Sequence, residues 1–324
     1  MFQEIQRVAE RILSGGAITF DEASSFIELE TWPEVLELAA QATRIRERFT
    51  GSEVDLCALV NAKSGLCSED CGFCSQSAHS DTGISTYPLM DPEQIVQRAL
   101  EAKAFGAKRF CIVTATRGLS DRDLPAICEA VRRVKEEAGL EPECSLGFVT
   151  DHQLEQLKSA GMTRYNHNLE TAESNFSNVC TTHSYQDRLN TLRMLRKHGL
   201  EICSGGILGL GESRRERLEL AFALTELDVE CAPINVLNPR PGTPRGASDP
   251  PDPQEVIKTI AVYRFILPRA RLELGGGREV NLRDFQAMAF LAGANSLIIG
   301  GYLTTHGRRP EQDMQLLKDL GFTV

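Results

Sequence analysis

From Val54 onward, short apolar runs alternate with amphipathic segments, and this alternation limits the possible folds more than any other feature of the chain. Strand-like runs fall at 54–60, 109–115, 143–148, 164–169, 201–208, 232–237, 271–275 and 296–300. Between and after them, helical periodicity spans 92–104, 123–138, 152–160, 186–198, 213–227, 253–265, 282–291 and 312–320. Asp91, Asp151 and Asp252 precede helix starts, and Gly139, Gly161, Gly199 and Gly293 follow helix ends, where capping residues and left-handed turns belong. Eight strands in βα order predict an α/β fold of the (β/α)8 TIM-type barrel class. An open, doubly wound sheet is the competing arrangement, and the count of eight favours closure.

The first 50 residues repeat apolar positions at helical spacing, through Ile5, Val8 and Ile12 and again through Val35, Leu38, Ala39 and Ala42. Asp21 and Thr31 are the expected N-caps there. The expected organisation is therefore an N-terminal helical extension over 1–50 and a barrel over 51–324. A barrel of this class needs about 250 residues, which leaves room for such an extension. The Pro-rich stretch 238–246 follows the sixth strand and is expected as a long loop at one mouth.

The loop after the first strand carries Cys67, Cys71 and Cys74. Four thiolates normally complete a 4Fe-4S cluster, so three at this spacing leave one iron open to a small molecule. Cys-x2-Cys also occurs in zinc ribbons, but no second Cys pair or His pair follows to close a tetrahedron. In a barrel, groups at the C-terminal ends of strands and in the loops after them form the active site, which is where this motif falls.

Charge and cysteine usage narrow the function classes. The chain of 324 residues has 35 Lys plus Arg against 45 Asp plus Glu, a net charge of −10, which argues against nucleic acid as a partner. Ten cysteines are scattered along a long chain instead of being concentrated in a small secreted one, so reduced thiols are expected. The charged start and the absence of ~18 consecutive apolar residues predict a cytoplasmic protein with no membrane span.

The three-cysteine loop, with Phe73 before its third cysteine, resembles the radical S-adenosylmethionine (SAM) enzymes. The strings Tyr165-Asn166-His167-Asn168-Leu169-Glu170-Thr171, Cys203-Ser204-Gly205-Gly206-Ile207-Leu208-Gly209-Leu210-Gly211-Glu212 and Gly277-Arg278-Glu279 narrow the likeness. With Arg109-Phe110-Cys111, Pro233-Ile234-Asn235 and Ala292-Gly293-Ala294-Asn295-Ser296, they resemble the biotin synthase family from about Ala62 to Val324. The resemblance implies a 4Fe-4S cluster on Cys67, Cys71 and Cys74 whose open iron chelates SAM, and formation of a 5'-deoxyadenosyl radical. It further implies sulfur insertion into dethiobiotin to give biotin, with sulfur from an auxiliary iron-sulfur cluster. Catalysis would then rest on cofactors, not on an acid-base side chain. Implied partners are dethiobiotin, SAM, an electron donor such as flavodoxin or ferredoxin, Fe-S assembly proteins and a second copy in a homodimer.

Site residues follow from the same likeness. Phe73, Asn168, Glu170, Arg188, Gly206, Gly209 and Gly211 match cofactor-binding positions, and Asn166, Asn168 and Asn235 match substrate positions. Asn168 and Glu170, two apart at the end of the fourth strand, are expected to share a direction. The family has Asp where this chain has Glu170. Cys111, Cys144 and Cys203 match the auxiliary ligands and are expected to point into the barrel, with Cys180 and Cys231 in reserve and Cys57 and Cys128 in the core. The family completes a 2Fe-2S site with an arginine four residues before the glycine of Gly-Arg-Glu. Glu273 stands there in this chain, and Arg271 lies two residues earlier on the same face. Without that arginine, three thiolates suit a four-iron cluster carrying an extra sulfide, with 2Fe-2S as the alternative.

Overall fold

A computed structural model describes residues 1–324. Its strands are β1 (Asp55–Lys63), β2 (Arg109–Thr114), β3 (Glu141–Ser145), β4 (Arg164–Asn166), β5 (Glu201–Cys203), β6 (Gly206–Leu208), β7 (Cys231–Val236), β8 (Arg271–Leu274) and β9 (Ser296–Ile298). All pairings are parallel; β1 pairs with both β2 and β9, and β5 pairs with β7. The sheet therefore closes into the expected barrel, with β5 and β6 sharing one staves' position. The single strand expected over 201–208 is broken because the backbone at Gly205 runs against β7. A Cβ on Gly205 would lie 2.0 Å from the Pro233 carbonyl oxygen, so only glycine fits this crossing.

Helices alternate with the strands at the expected places, and Pro92–Ala104 has the expected bounds. The segment expected as one helix over 282–291 is a 3-10 turn, Arg283–Phe285, followed by the helix Gln286–Leu291. A short helix, Glu173–Phe176, was not expected, since four residues are too few to display a period.

Three helices, Phe2–Leu13, Phe20–Ile27 and Trp32–Thr50, precede β1. Thr19, not Asp21, caps the second: its hydroxyl accepts from the Glu22 amide while the Glu22 carboxylate accepts from the Thr19 amide. Asp21 lies inside the first turn, where its charge favours the helix N-terminus instead. Asp151 likewise gives way to Thr150 as the cap of the helix Asp151–Ser159. Ile5, Phe26 and Leu38 share one continuous buried cluster with barrel-side Ile260 and Phe265, and Phe26 meets Phe265 edge to face at 5.6 Å.

Strand register decides which side chains enter the barrel. Paired Cα positions run Leu59–Cys111, Cys111–Glu143, Glu143–Arg164, Asn166–Cys203 and Cys203–Cys231, which puts these residues on one face. Ile112, Cys144, Tyr165 and Ile202 form the other, alternate set, packed against helices. The inward face begins with a charged floor. Arg109 bonds Asp55 at 2.9 Å, Arg164 bonds Glu143 at 3.0 Å and Glu201 at 2.9 Å, and Arg271 bonds Asp55 at 2.9 Å. These mutually paired charges close the N-terminal end and leave the C-terminal end for ligands.

Candidate active site

Above the floor, a cavity of about 400 Å³ opens at the C-terminal end of the barrel. That volume suits a small-molecule ligand. Cys67, Cys71, Phe73 and Cys74 line its mouth. Their loop is held by main-chain bonds from Cys67 N to Gln76 O at 3.0 Å, from Ala78 N to Cys67 O at 2.7 Å and from Cys74 N to Cys71 O at 2.9 Å. Asn61, at the end of β1, anchors Gln76 through a 3.0 Å side-chain bond. The Pro-rich loop reaches the same place, where Arg245 N donates to Gly72 O at 3.0 Å and Gly72 N donates to Val179 O at 2.8 Å. Burial pushes the Cys74 thiol up to about 11 and raises Cys67 as well. Such thiols ionise when a cation arrives to share the charge.

Opposite the cysteine loop stand Asn168, Glu170 and Arg188. β4 ends at Asn166, so Asn168 and Glu170 lie beyond the strand, and their common aim comes from loop geometry instead of strand alternation. Glu170 has a left-handed backbone, with φ of 69°. Its carboxylate is buried and burial raises its pKa, while the Arg188 guanidinium 3.8 Å away opposes the rise. Oε2 of Glu170 and Oγ1 of Thr114 are both buried without a protein partner, and both residues line the cavity. Unpaired buried acceptors of this kind call for a hydroxyl-bearing ligand, and a ribose supplies adjacent hydroxyls. Arg188 donates to the Asn168 carbonyl at 2.6 Å and to His183 Nε2 at 2.9 Å, and the other ring nitrogen of His183 meets the Glu69 carboxylate. Glu69 and His183, which their sequence context did not mark, thus orient the arginine.

Gly206 packs where a Cβ would lie 2.5 Å from the Glu170 carbonyl oxygen, so it sets the height of that residue. Gly209 and Gly211 do not line this cavity. They turn, with φ of 102° and 85°, around a separate surface depression with Glu212, Arg217 and Arg245, outside the cavity that Asn168, Glu170 and Arg188 line. Asn166 and Asn235 both line the cavity. Asn166 donates to Cys203 Sγ at 3.3 Å, while Asn235 donates to Gly206 O at 3.2 Å and accepts from Gly276 N at 2.8 Å.

The deep end holds Cys57, Cys111, Glu143 and Glu273. Of the three expected auxiliary ligands, Cys111 and Cys203 face inward. Cys144 does not: it is fully buried on the opposite face of β3, between the sheet and the helix that carries Cys128. Strand parity is the reason, because an inward Glu143 forces its neighbour outward. Arg271 is bound to Asp55 on the floor, which removes it from the auxiliary site. Glu273 occupies the level above, where burial and the neighbouring Glu143 carboxylate push its pKa up to about 7. Cys57 belongs to the cavity wall and not to the outer core. Cys180 sits behind the cysteine loop, its thiol 3.1 Å from an Asp70 oxygen, away from the barrel interior.

A thiol triad on the loop after β1, above a closed parallel barrel with buried unpaired acceptors, defines a radical SAM enzyme. The Radical SAM superfamily matches residues 63–224, and the Biotin and Thiamin Synthesis associated domain matches residues 233–323. Biotin synthase of Geobacter sulfurreducens is 49% identical over 321 residues, covering 98% of this chain and 97% of that protein. Biotin synthase of Carboxydothermus hydrogenoformans is 45% identical over 326 residues, covering all of both. Among solved structures, methylornithine synthase superposes with a TM-score of 0.82 at 20% identity, over 98% of this chain and 96% of that one. The FeFe-hydrogenase maturase of C. hydrogenoformans reaches 0.83 at 19%, over 99% and 79%, and both likenesses speak to the fold alone. The chain belongs to the biotin synthase family. Membership brings a 4Fe-4S cluster, SAM and an auxiliary iron-sulfur cluster.

Proposed function

We propose that this enzyme converts dethiobiotin to biotin by radical sulfur insertion at the C-terminal mouth of the barrel. The supporting observation is the stacking of two thiol sets along one cavity, Cys67, Cys71 and Cys74 at the mouth and inward barrel cysteines below. When bound, the upper cluster and SAM supply a 5'-deoxyadenosyl radical able to take hydrogen from unactivated carbon, and the auxiliary cluster supplies sulfur.

The chain's own residues bind, orient and exclude water. Glu170, with its free Oε2, accepts from the SAM ribose hydroxyls, and Phe73 packs at the mouth beside the cysteines. Arg188 takes the SAM carboxylate, and Gly206 keeps Glu170 at its height. Asn166, Asn168 and Asn235 offer amide donors and acceptors to the cyclic urea of dethiobiotin. The substrate then lies between the two thiol sets, which brings its carbons near both radical and sulfur source.

Glu273 at the place of the family's arginine favours an auxiliary cluster of four irons carrying an additional sulfide over a 2Fe-2S cluster. A carboxylate adds negative charge where the arginine would add positive. The working enzyme is a cytoplasmic homodimer reduced by a flavodoxin or ferredoxin and loaded by Fe-S assembly proteins. No helix is long and apolar enough to cross a membrane.

Anaerobic incubation of reconstituted protein with dithionite, SAM and dethiobiotin is expected to yield biotin and 5'-deoxyadenosine. Deoxyadenosine without biotin would leave radical chemistry standing and remove dethiobiotin as the substrate.

A further inference from the structure

The loss of Cys144 from the barrel interior leaves Cys111 and Cys203 one thiolate short of a three-thiolate site. Alternation along the strands supplies the replacement. On β1, β2 and β8, the floor residues Asp55, Arg109 and Arg271 are each followed two positions later by an inward residue: Cys57, Cys111 and Glu273. Cys57 thus stands at the deep end of the cavity, beside its register partner Arg109 on β2, with its Sγ 3.9 Å from Glu143 Oε2. Glu143 fills the inward place on β3 that Cys144 was expected to take. Cys203 meets this level through Asn166 and belongs to a group with Glu273 whose ligand atoms lie within 4.8 Å of one another.

Cys231 is the other inward thiol and shares that group. It pairs with Cys203 on β5 and with the floor residue Arg271 on β8; neither Cys203 nor Cys231 lines the cavity, and Cys203 is the one of the two that meets a cavity-lining side chain, Asn166. A buried cysteine ordinarily serves as a small hydrophobe. Cys57 departs from that pattern because it faces two buried carboxylates, and Glu273 forms no ion pair, its carboxylate receiving only the Ser296 hydroxyl at 3.0 Å. Glu143 is paired with Arg164, but Glu273 and the thiols beside it have no cation of their own, and iron would provide one.

We propose that Cys57, Cys111 and Cys203 hold the auxiliary cluster, Cys57 taking the place of Cys144. The assignment rests on the auxiliary cluster read above. Three thiolates on three strands leave one iron of a four-iron cluster free for a non-protein ligand.

The test uses full-length protein with Cys67→Ala, Cys71→Ala and Cys74→Ala, so that all bound iron is auxiliary. After anaerobic reconstitution, iron and sulfide are counted per chain and Mössbauer spectra recorded. Adding Cys57→Ala or Cys57→Ser is expected to abolish the auxiliary iron, while adding Cys144→Ala or Cys231→Ala leaves it in place. Thermal unfolding midpoints of the metal-free proteins show that each variant folds. Retention of the iron by both folded Cys57 variants, or its loss from folded Cys144→Ala, would overturn the assignment. A parent protein that takes up no iron would instead overturn the auxiliary cluster itself and this assignment with it.

Discussion

At the scale of single residues, the cavity is defined by groups that lack partners. Glu170 holds a strained left-handed backbone and an unpaired buried oxygen, features that a purely structural residue would not retain. Hydrogen bonds to a charged group contribute about 1.5–3 kcal/mol, so Glu170→Ala is expected to weaken SAM binding by roughly 10- to 100-fold. Equilibrium dialysis of SAM against the reconstituted protein measures this; unchanged affinity would remove Glu170 from the SAM site. Glu170 was legible in the sequence as part of Asn168-Leu169-Glu170, but its direction was not, because β4 stops at Asn166. The two adjacent residues Glu143 and Cys144 show the same limit more sharply. A strand at this place follows from the sequence, yet either residue can face inward, and only pairing with Cys111 on β2 chooses Glu143.

Elements position these residues by local chemistry that the sequence displays unevenly. Helices announced by a capping residue, such as the one after Asp91, were legible nearly to the residue. The break between β5 and β6 was not, since it depends on how closely Gly205 approaches Pro233. Gly206→Ala is expected to abolish SAM binding with little change in the fold, because its Cβ would collide with the Glu170 main chain; near-wild-type SAM affinity by dialysis would contradict this. Among the N-terminal helices, Glu22 joins the first to the second by accepting from Arg11 at 3.1 Å and Arg7 at 3.0 Å. The Arg11 bond, against some opposing desolvation, lowers the Glu22 pKa to about 2. A depressed carboxylate stabilises the fold above its unfolded pKa near 4.5, and that contribution is lost as pH falls toward 2. Glu22→Gln is therefore expected to lower the unfolding midpoint more at pH 7 than at pH 2.5, as read by circular dichroism of the metal-free protein. An equal loss at both pH values would contradict the linkage.

For the whole molecule, the barrel is a column with a charged floor, a deep thiol and carboxylate layer, a ligand cavity and a cysteine-bearing mouth. βα order and strand count made the barrel legible, and the mouth followed from the rule that loops after strands carry function. The floor was not legible, because its charges come from six strands brought together only by closure. Arg271 illustrates this: beside Glu273 in sequence it resembles a ligand, but closure pairs it with Asp55. Arg164→Met would leave buried Glu143 without its 3.0 Å partner. Breaking a buried pair costs about 3–5 kcal/mol, so the urea midpoint of the metal-free protein is expected to fall by that equivalent. A loss below about 1 kcal/mol, the range of a surface pair, would contradict a buried floor.

The central claim is that one cavity brings SAM, dethiobiotin and a sulfur source into line. It is tested most directly with dethiobiotin deuterated at the two carbons that receive sulfur, turned over anaerobically with SAM and dithionite. Mass spectrometry is expected to find deuterium in 5'-deoxyadenosine from both positions, with two deoxyadenosines formed for each biotin. Deoxyadenosine free of deuterium under conditions that make biotin would contradict the account.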